Sequence, residues 1–224
     1  VYPLQLQGIQ DNMAAVAAGH PATNINTYEV LFSGWVGIGG IGHTLPLVIM
    51  VSFWARSARL KAIGRASLVP SIFNINEPVV FGAIAWTPTL MVPMWLQGII
   101  PPLVIWLFTK TIPFAPIPMY QFEMWYTPFP ISTWLTTGSI TAMILMLGIF
   151  ALATAIWFPF FEAYEKQTLQ GEVTESSAAA PAAAWTHPGQ VDERKRHGPE
   201  RGRAGQRGDA DHHPGRGLPA THLR

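Results

Sequence analysis

Apolar and polar positions alternate along this chain in blocks rather than in fine periods. Leu4 to Ala18 is rich in Ala, Gln and Leu and predicts a surface or interfacial helix, with Gly19 as its C-terminal stop and Pro21 to Thr27 as a polar loop. No charged residue stands between Glu29 and Arg56, a stretch long enough to cross a hydrocarbon core, which takes about 20 residues. Its first half, Gly34-Trp35-Val36-Gly37-Ile38-Gly39-Gly40-Ile41-Gly42, is too glycine-rich for an ordinary lipid-facing helix and points to close helix approach or to backbone bent around a site. Leu68 to Ala85 is apolar at both ends and interrupted by Asn74, Asn76, Glu77 and Pro78. The residue before a proline is pushed toward extended backbone, and irregular backbone at membrane depth needs protein or a wet cavity around it. The pattern therefore predicts a re-entrant hairpin with its polar tip at a cavity. Thr87 to Phe108, with Pro93, Pro101 and Pro102, predicts a kinked spanning helix ending at Lys110. Thr111 to Pro130 has no helical periodicity, and uncharged Ile131 to Phe161 is the clearest spanning helix, closed by an aromatic belt of Trp157, Phe158, Phe160 and Phe161. The expected fold class is an all-α integral membrane protein, embedded from about Gly34 to Phe161, with kinked transmembrane helices and a re-entrant hairpin.

Charge adds an orientation. Only 12% of the 224 residues are charged, against roughly 25% in soluble domains, which fits a membrane body. Arg56, Arg59, Lys61 and Arg65 arrive within three turns, and the positive-inside rule makes that loop cytoplasmic. With the hairpin returning to that side, one crossing leads out and the next returns, so the body ends in the cytoplasm at Glu162. The expected location is a bacterial plasma (inner) membrane, multi-pass, with a cytoplasmic C-terminus. The absence of cysteine excludes disulfides, thiolate metal sites and a cysteine nucleophile within the chain. A start at Val1, without methionine or a basic leader, reads as a piece cut from a longer polypeptide.

Composition changes abruptly after Glu172, giving an expected division into a membrane part, residues 1–172, and a tail, residues 173–224. Ser176 to Ala184 has linker composition, and Trp185 to Arg224 is crowded with Arg, Gly, Pro and His. Nucleic-acid binding by the arginines and metal binding by His212 and His213 rank below disorder or non-native sequence as readings of this tail. No nucleic acid, metal or cofactor is expected.

Glu77 is the residue that asks for an explanation. A carboxylate at membrane depth costs roughly 3 kcal/mol on insertion scales, which makes it a functional-site candidate. Helix capping after Pro78 would account for the carboxylate alone, but Asn74 and Asn76 bring more hydrogen-bonding groups than one cap needs. Two amides and a carboxylate at one tip suit a ligand with many hydroxyls. Of the aromatic residues Tyr120, Phe122, Trp125, Tyr126 and Phe129, most read as an interfacial belt; Trp125 is singled out as a face for the C–H side of a sugar ring. Glu123 is expected to face water, and His43 reads equally as a packed histidine or a ligand.

The run Pro70 to Gly82, P-S-I-F-N-I-N-E-P-V-V-F-G, resembles the signature of the membrane IIC component (permease) of lactose/cellobiose-class phosphoenolpyruvate-dependent sugar phosphotransferase systems. Val1 to Ala18, Gly39 to Leu45, Trp125 to Pro130 and Trp157 to Phe161 resemble further runs of that family in register, so that the chain resembles its C-terminal half. The resemblance implies a subunit that binds a β-linked disaccharide and releases it phosphorylated inside. Glu77 falls on the family's glutamate, as sugar ligand and acceptor of the hydroxyl proton, and Asn76 on its neighbouring asparagine. Trp125 falls on its stacking tryptophan, and Gly39 and Gly40 on a glycine-rich backbone contact. Ile41 and His43 depart from the small residues of the pattern, and the family's histidine and dimer-forming helices lie upstream of Val1. The implied partners are the disaccharide, a cytoplasmic IIB phosphocarrier with a phosphocysteine, membrane lipid and, in the full-length protein, a second copy of the chain. Two alternatives stay open: a non-phosphorylating secondary sugar transporter, and a non-functional truncated fragment.

Overall fold

The computed structural model describes residues 2–33 and 35–184. Among these the chain is all α, with no strand. Helix α1 is Tyr2–Ala17, and Gly19 ends it at φ +80°, as its position predicts. Its buried face carries Gln5, Gly8, Ile9 and Asn12. Asn12 Nδ2 donates to the carbonyls of Asn24 (2.8 Å) and Pro118 (2.9 Å), so α1 is docked along one face rather than resting on a surface.

The uncharged stretch from Glu29 to Arg56 does not form a spanning helix. It gives a four-residue helix α2 (Tyr28–Leu31), non-helical backbone up to Thr44, and a nine-residue helix α3 (Leu45–Phe53). At 1.5 Å per residue α3 covers about 13 Å, well short of a hydrocarbon core of about 30 Å. The physical reason is the glycine run, where Gly39, Gly40 and Gly42 all take positive φ.

The broken segment behaves as a folded-back pair of arms. Helix α4 (Ala58–Ile72) begins with the Ser57 hydroxyl accepting from the Leu60 N–H and carries Arg59, Lys61 and Arg65, so these bases ride on a helix and not on a loop. The chain breaks at Phe73–Asn76, then resumes as α5 (Glu77–Val79) and a π-helical turn, Val80–Ile84. The return arm lies along α4: a Cβ on Gly82 would stand 3.1 Å from Ile63 Cγ2. Glu77 does not take the extended backbone expected before proline; it opens α5, and the break falls on Asn74, at φ 62°.

Helix α6 (Pro88–Trp106) contains Pro93, Pro101 and Pro102 and passes into a π-helical turn, Leu107–Thr111. The stretch Ile131 to Phe161 is two helices: α7 (Ile131–Thr137) stops at Gly138, φ 61°, and α8 runs Ile140–Ala184. Pro88–Thr111 and Ile140–Ser177, 24 and 38 residues, are long and apolar enough to cross a membrane. Their most apolar windows are only 28% and 33% buried, whereas the core helix of a water-soluble domain would be mostly buried.

Two apolar clusters hold the body together, and α8 joins both. Leu145, Met146 and Ile149 pack with Trp35, Ile38 and Ile105; further along, Trp157 and Phe161 pack with Leu47, Val51, Leu60 and Leu90. Trp157 and Phe161 are therefore core residues, not part of an aromatic belt, while Phe158 is exposed. The indole of Trp157 donates to the His43 carbonyl at 3.0 Å. Glu165 accepts from the Arg56 N–H, and Glu172 accepts from the Ser57 hydroxyl, tying α8 to the corner between α3 and α4. Helical backbone continues past Glu172, where the composition changes, as far as Ala184; the rest of the expected tail, Trp185 to Arg224, lies outside the described residues.

Helices α3 and α4 approach closely at Gly64, where an added Cβ would lie 2.6 Å from the Ser52 nitrogen and 2.8 Å from the Val51 carbonyl carbon. Gly64→Ala is expected to cost about 1–3 kcal/mol through overpacking against backbone. Thermal unfolding in detergent should show the loss, while Gly98→Ala, with nothing within 4 Å of its Cβ, should melt no earlier than the parent.

Candidate functional site

The centre of the site is a tight turn built on one asparagine. Asn74 sits at φ 62°, a left-handed conformation that asparagine tolerates better than most residues. Its side chain is buried, and all of its polar capacity goes to backbone. Oδ1 accepts the Gly39 N–H at 3.0 Å, and Nδ2 donates to the carbonyls of Trp125 (2.7 Å) and Thr127 (3.1 Å). One amide thus pins the glycine loop and the aromatic loop to the break between α4 and α5.

Asn76 does a similar job on the outer side. Its Nδ2 donates to the Ile41 carbonyl at 2.8 Å and makes no cap bond to α5. Gly40 is required beneath it: φ is +96°, and an added Cβ would fall 2.5 Å from Asn76 Cγ. Gly39 stands behind this wall, its N–H held by Asn74 and its Cα side packed on Leu45.

Beside these two asparagines, Glu77 keeps a free carboxylate. It is exposed and forms no side-chain hydrogen bond or ion pair with the other described residues. Its carboxylate opens on a cavity of about 140 Å³ bounded also by Asn76, Gly40, Ile41, Phe32 and Trp125. The fold therefore gathers Asn76, Glu77, Gly40 and Trp125 around one space, with Gly39 in support. A charged acceptor faces an indole there, amide groups stand beside it, and the floor is bare backbone. That combination accepts hydroxyl protons on one side and offers an apolar face on the other.

Sequence reasoning missed two contributors from the Glu29 to Arg56 stretch. Leu31 and Phe32 line the cavity because α2 ends there; read as part of one long apolar block, they carried no signal. Glu29 is wholly buried, and its Oε1 accepts the Phe122 N–H at 2.9 Å, while the Ser33 hydroxyl donates to the Phe122 carbonyl at 2.9 Å. Burial pushes the Glu29 carboxyl above its ordinary range, and the Phe122 N–H pulls it back in part. His43 is buried away from the cavity, with φ 47°, and fits the packed reading better than the ligand reading. No cluster of three or more metal-ligating side chains exists among the described residues.

Comparison with known proteins finds relatives in one family. The family described as "Phosphotransferase system, EIIC" matches residues 3–98. The cellobiose-specific EIIC component of a phosphotransferase system from Geobacillus stearothermophilus is 39% identical over 166 residues, covering 73% of this chain and 36% of that protein. A lactose-specific EIICB component from Streptococcus mutans is 35% identical over 150 residues, covering 64% of this chain and 25% of that protein. Among solved structures, the transporter ChbC, the IIC component of an N,N'-diacetylchitobiose-specific phosphotransferase system, is similar with a TM-score of 0.72 and 36% identity, covering 77% of this chain and 40% of that one. The chain spans two fifths or less of the length of these proteins.

The site geometry depends on Asn74 donating to two carbonyls at once. Asn74→Asp keeps the acceptor for Gly39 and sets a carboxylate against the oxygens of Trp125 and Thr127. A loss of about 1–3 kcal/mol is expected, read as a lower melting temperature together with faster amide hydrogen exchange over residues 123–128.

Proposed function

This chain belongs to the EIIC family of phosphotransferase-system membrane components, and on that footing we propose that residues 1–172 form the glycoside-binding part of such a subunit. The observation that carries the reading is the free Glu77 carboxylate facing Trp125 across one cavity, with Asn76 and Gly40 beside it. The substrate class is a β-linked disaccharide of the cellobiose or lactose type. Trp125 takes the C–H face of a ring, and Glu77 takes a hydroxyl.

The reaction is in-line phosphoryl transfer. The sugar hydroxyl oxygen attacks phosphorus on the phosphocysteine of a separate or fused IIB unit. The new O–P bond forms as the S–P bond breaks, the thiolate leaves, and Glu77 accepts the hydroxyl proton. Positioning and charge management supply most of the rate in such transfers, and a placed base adds to it. This chain has no cysteine, so the donor comes from elsewhere. The bases at Arg56, Arg59, Lys61 and Arg65, near the α3–α4 corner, give IIB a docking side, taken as cytoplasmic by the positive-inside rule. The same rule puts the end of α8 in the cytoplasm. The exposed apolar residues of α6, Trp95, Ile99 and Leu103 among them, then meet lipid or a second copy of the full-length subunit.

The test uses a subunit of the relatives' full length, reconstituted with a IIB donor. Glu77→Gln should stay in the membrane and lose nearly all cellobiose binding and phosphorylation. Wild-type binding together with normal phosphorylation in that variant would remove Glu77 from the site, and accumulation of free rather than phosphorylated sugar by the parent would make it a secondary transporter. Trp125→Ala should weaken disaccharide binding by about 1–3 kcal/mol, the size of a lost aromatic contact, measured by titration against the parent.

A further inference from the structure

A second cleft adjoins the Glu77 cavity and shares Phe32 and Trp125 with it. It encloses about 390 Å³ and is completed by Tyr2, Gln5 and Tyr28. Small-molecule pockets run from about 300 to 1,000 Å³. The 140 Å³ at Glu77 is below that range for a whole disaccharide, and the adjoining cleft falls inside it.

The chemistry of its walls is unusual for a packing gap. Tyr2 and Tyr28 meet edge to face at 5.6 Å, and Tyr28 and Phe32 lie at 5.1 Å, tilted by 31°, so three rings form one continuous apolar wall. Gln5, which also lines the cleft, is 2% exposed, yet its amide oxygen finds no hydrogen-bond donor among the described residues. A buried amide oxygen left unpaired is destabilising, a cost that a hydroxyl-bearing ligand in the cleft removes.

We infer that this cleft is the subsite for the second pyranose ring of a β-linked glycoside, with Gln5 as its hydroxyl partner and Tyr2, Tyr28 and Phe32 as its stacking wall. The inference rests on the reading of the Glu77 cavity as the place of the reacting ring. Trp125, between the two spaces, then touches both rings and sets the distance from the reacting hydroxyl to the glycosidic bond.

The probes are glucose and cellobiose, titrated against the full-length subunit in detergent. The parent should bind cellobiose more tightly than glucose. Gln5→Leu should weaken cellobiose about five- to tenfold, the effect of one lost uncharged hydrogen bond, and change glucose less than twofold. Tyr2→Ala, at a wall position 46% exposed and so tolerant of truncation, should shift the same ratio in the same direction and stands in if Gln5→Leu does not fold. Equal losses for the two sugars, or no loss for either, would overturn the subsite, as would a parent that does not prefer cellobiose. Failure of the underlying reading looks different: in that case Glu77→Gln leaves the binding of both sugars intact.

Discussion

The amide of Asn74 holds three distant pieces of chain at one point. Its partners are the backbone of Gly39, Trp125 and Thr127, so the glycine loop and the aromatic loop of the candidate site are both positioned by those bonds. Backbone groups at a helix break need partners when water is scarce, and each unsatisfied one is costly in hydrocarbon. A short side chain with one acceptor and two donors, on a residue that accepts φ 62°, meets the donor of one loop and the acceptors of another from a single turn. Asn76 repeats the arrangement toward Ile41. The result is that Glu77, just after two asparagines that bond to backbone, keeps a carboxylate free to meet a ligand.

The rest of the body braces this point from behind. α8 packs first on the glycine loop through Trp35 and Ile38 and then on α3 and α4 through Trp157 and Phe161, so the loop that supplies Gly39 and Gly40 is clamped between α8 and the hairpin. The indole bond from Trp157 to the His43 carbonyl closes the same clamp from the far end of the loop.

Much of this was legible from residues alone. The broken hairpin around Asn74 to Pro78 and the kinked apolar helix from Thr87 both left clear marks, because charge, amide and proline are rare at membrane depth. The convergence of Asn76, Glu77, Trp125 and Gly40 followed from family resemblance, not from spacing, since the aromatic loop is separated from the hairpin by a whole spanning helix. What stayed illegible lay in blocks that hydropathy treats as uniform. A run without charge from Glu29 to Arg56 looks like a crossing; its glycines turn it into a loop with a nine-residue helix. Ile131 to Phe161 looks like one helix, and a single glycine at φ 61° divides it. Apolar residues such as Leu31 and Phe32 carry no mark that separates a cavity wall from a lipid face, and Gln5 carries none that separates a surface helix from a buried one.

The hydrogen bonds of Asn74 also impose an order on biosynthesis. Gly39 precedes Asn74 by 35 residues, whereas Thr127 follows it by 53. At translation rates of about 5–20 residues per second, roughly 3–10 s pass between the appearance of the asparagine and that of its last partner. During that interval the two donors of the Asn74 amide lack their final acceptors, and α6 is made while they wait. The turn at Asn74 therefore has all of its partners only once residues 125–127 have been made, so the geometry of the site is completed late in the synthesis of the chain.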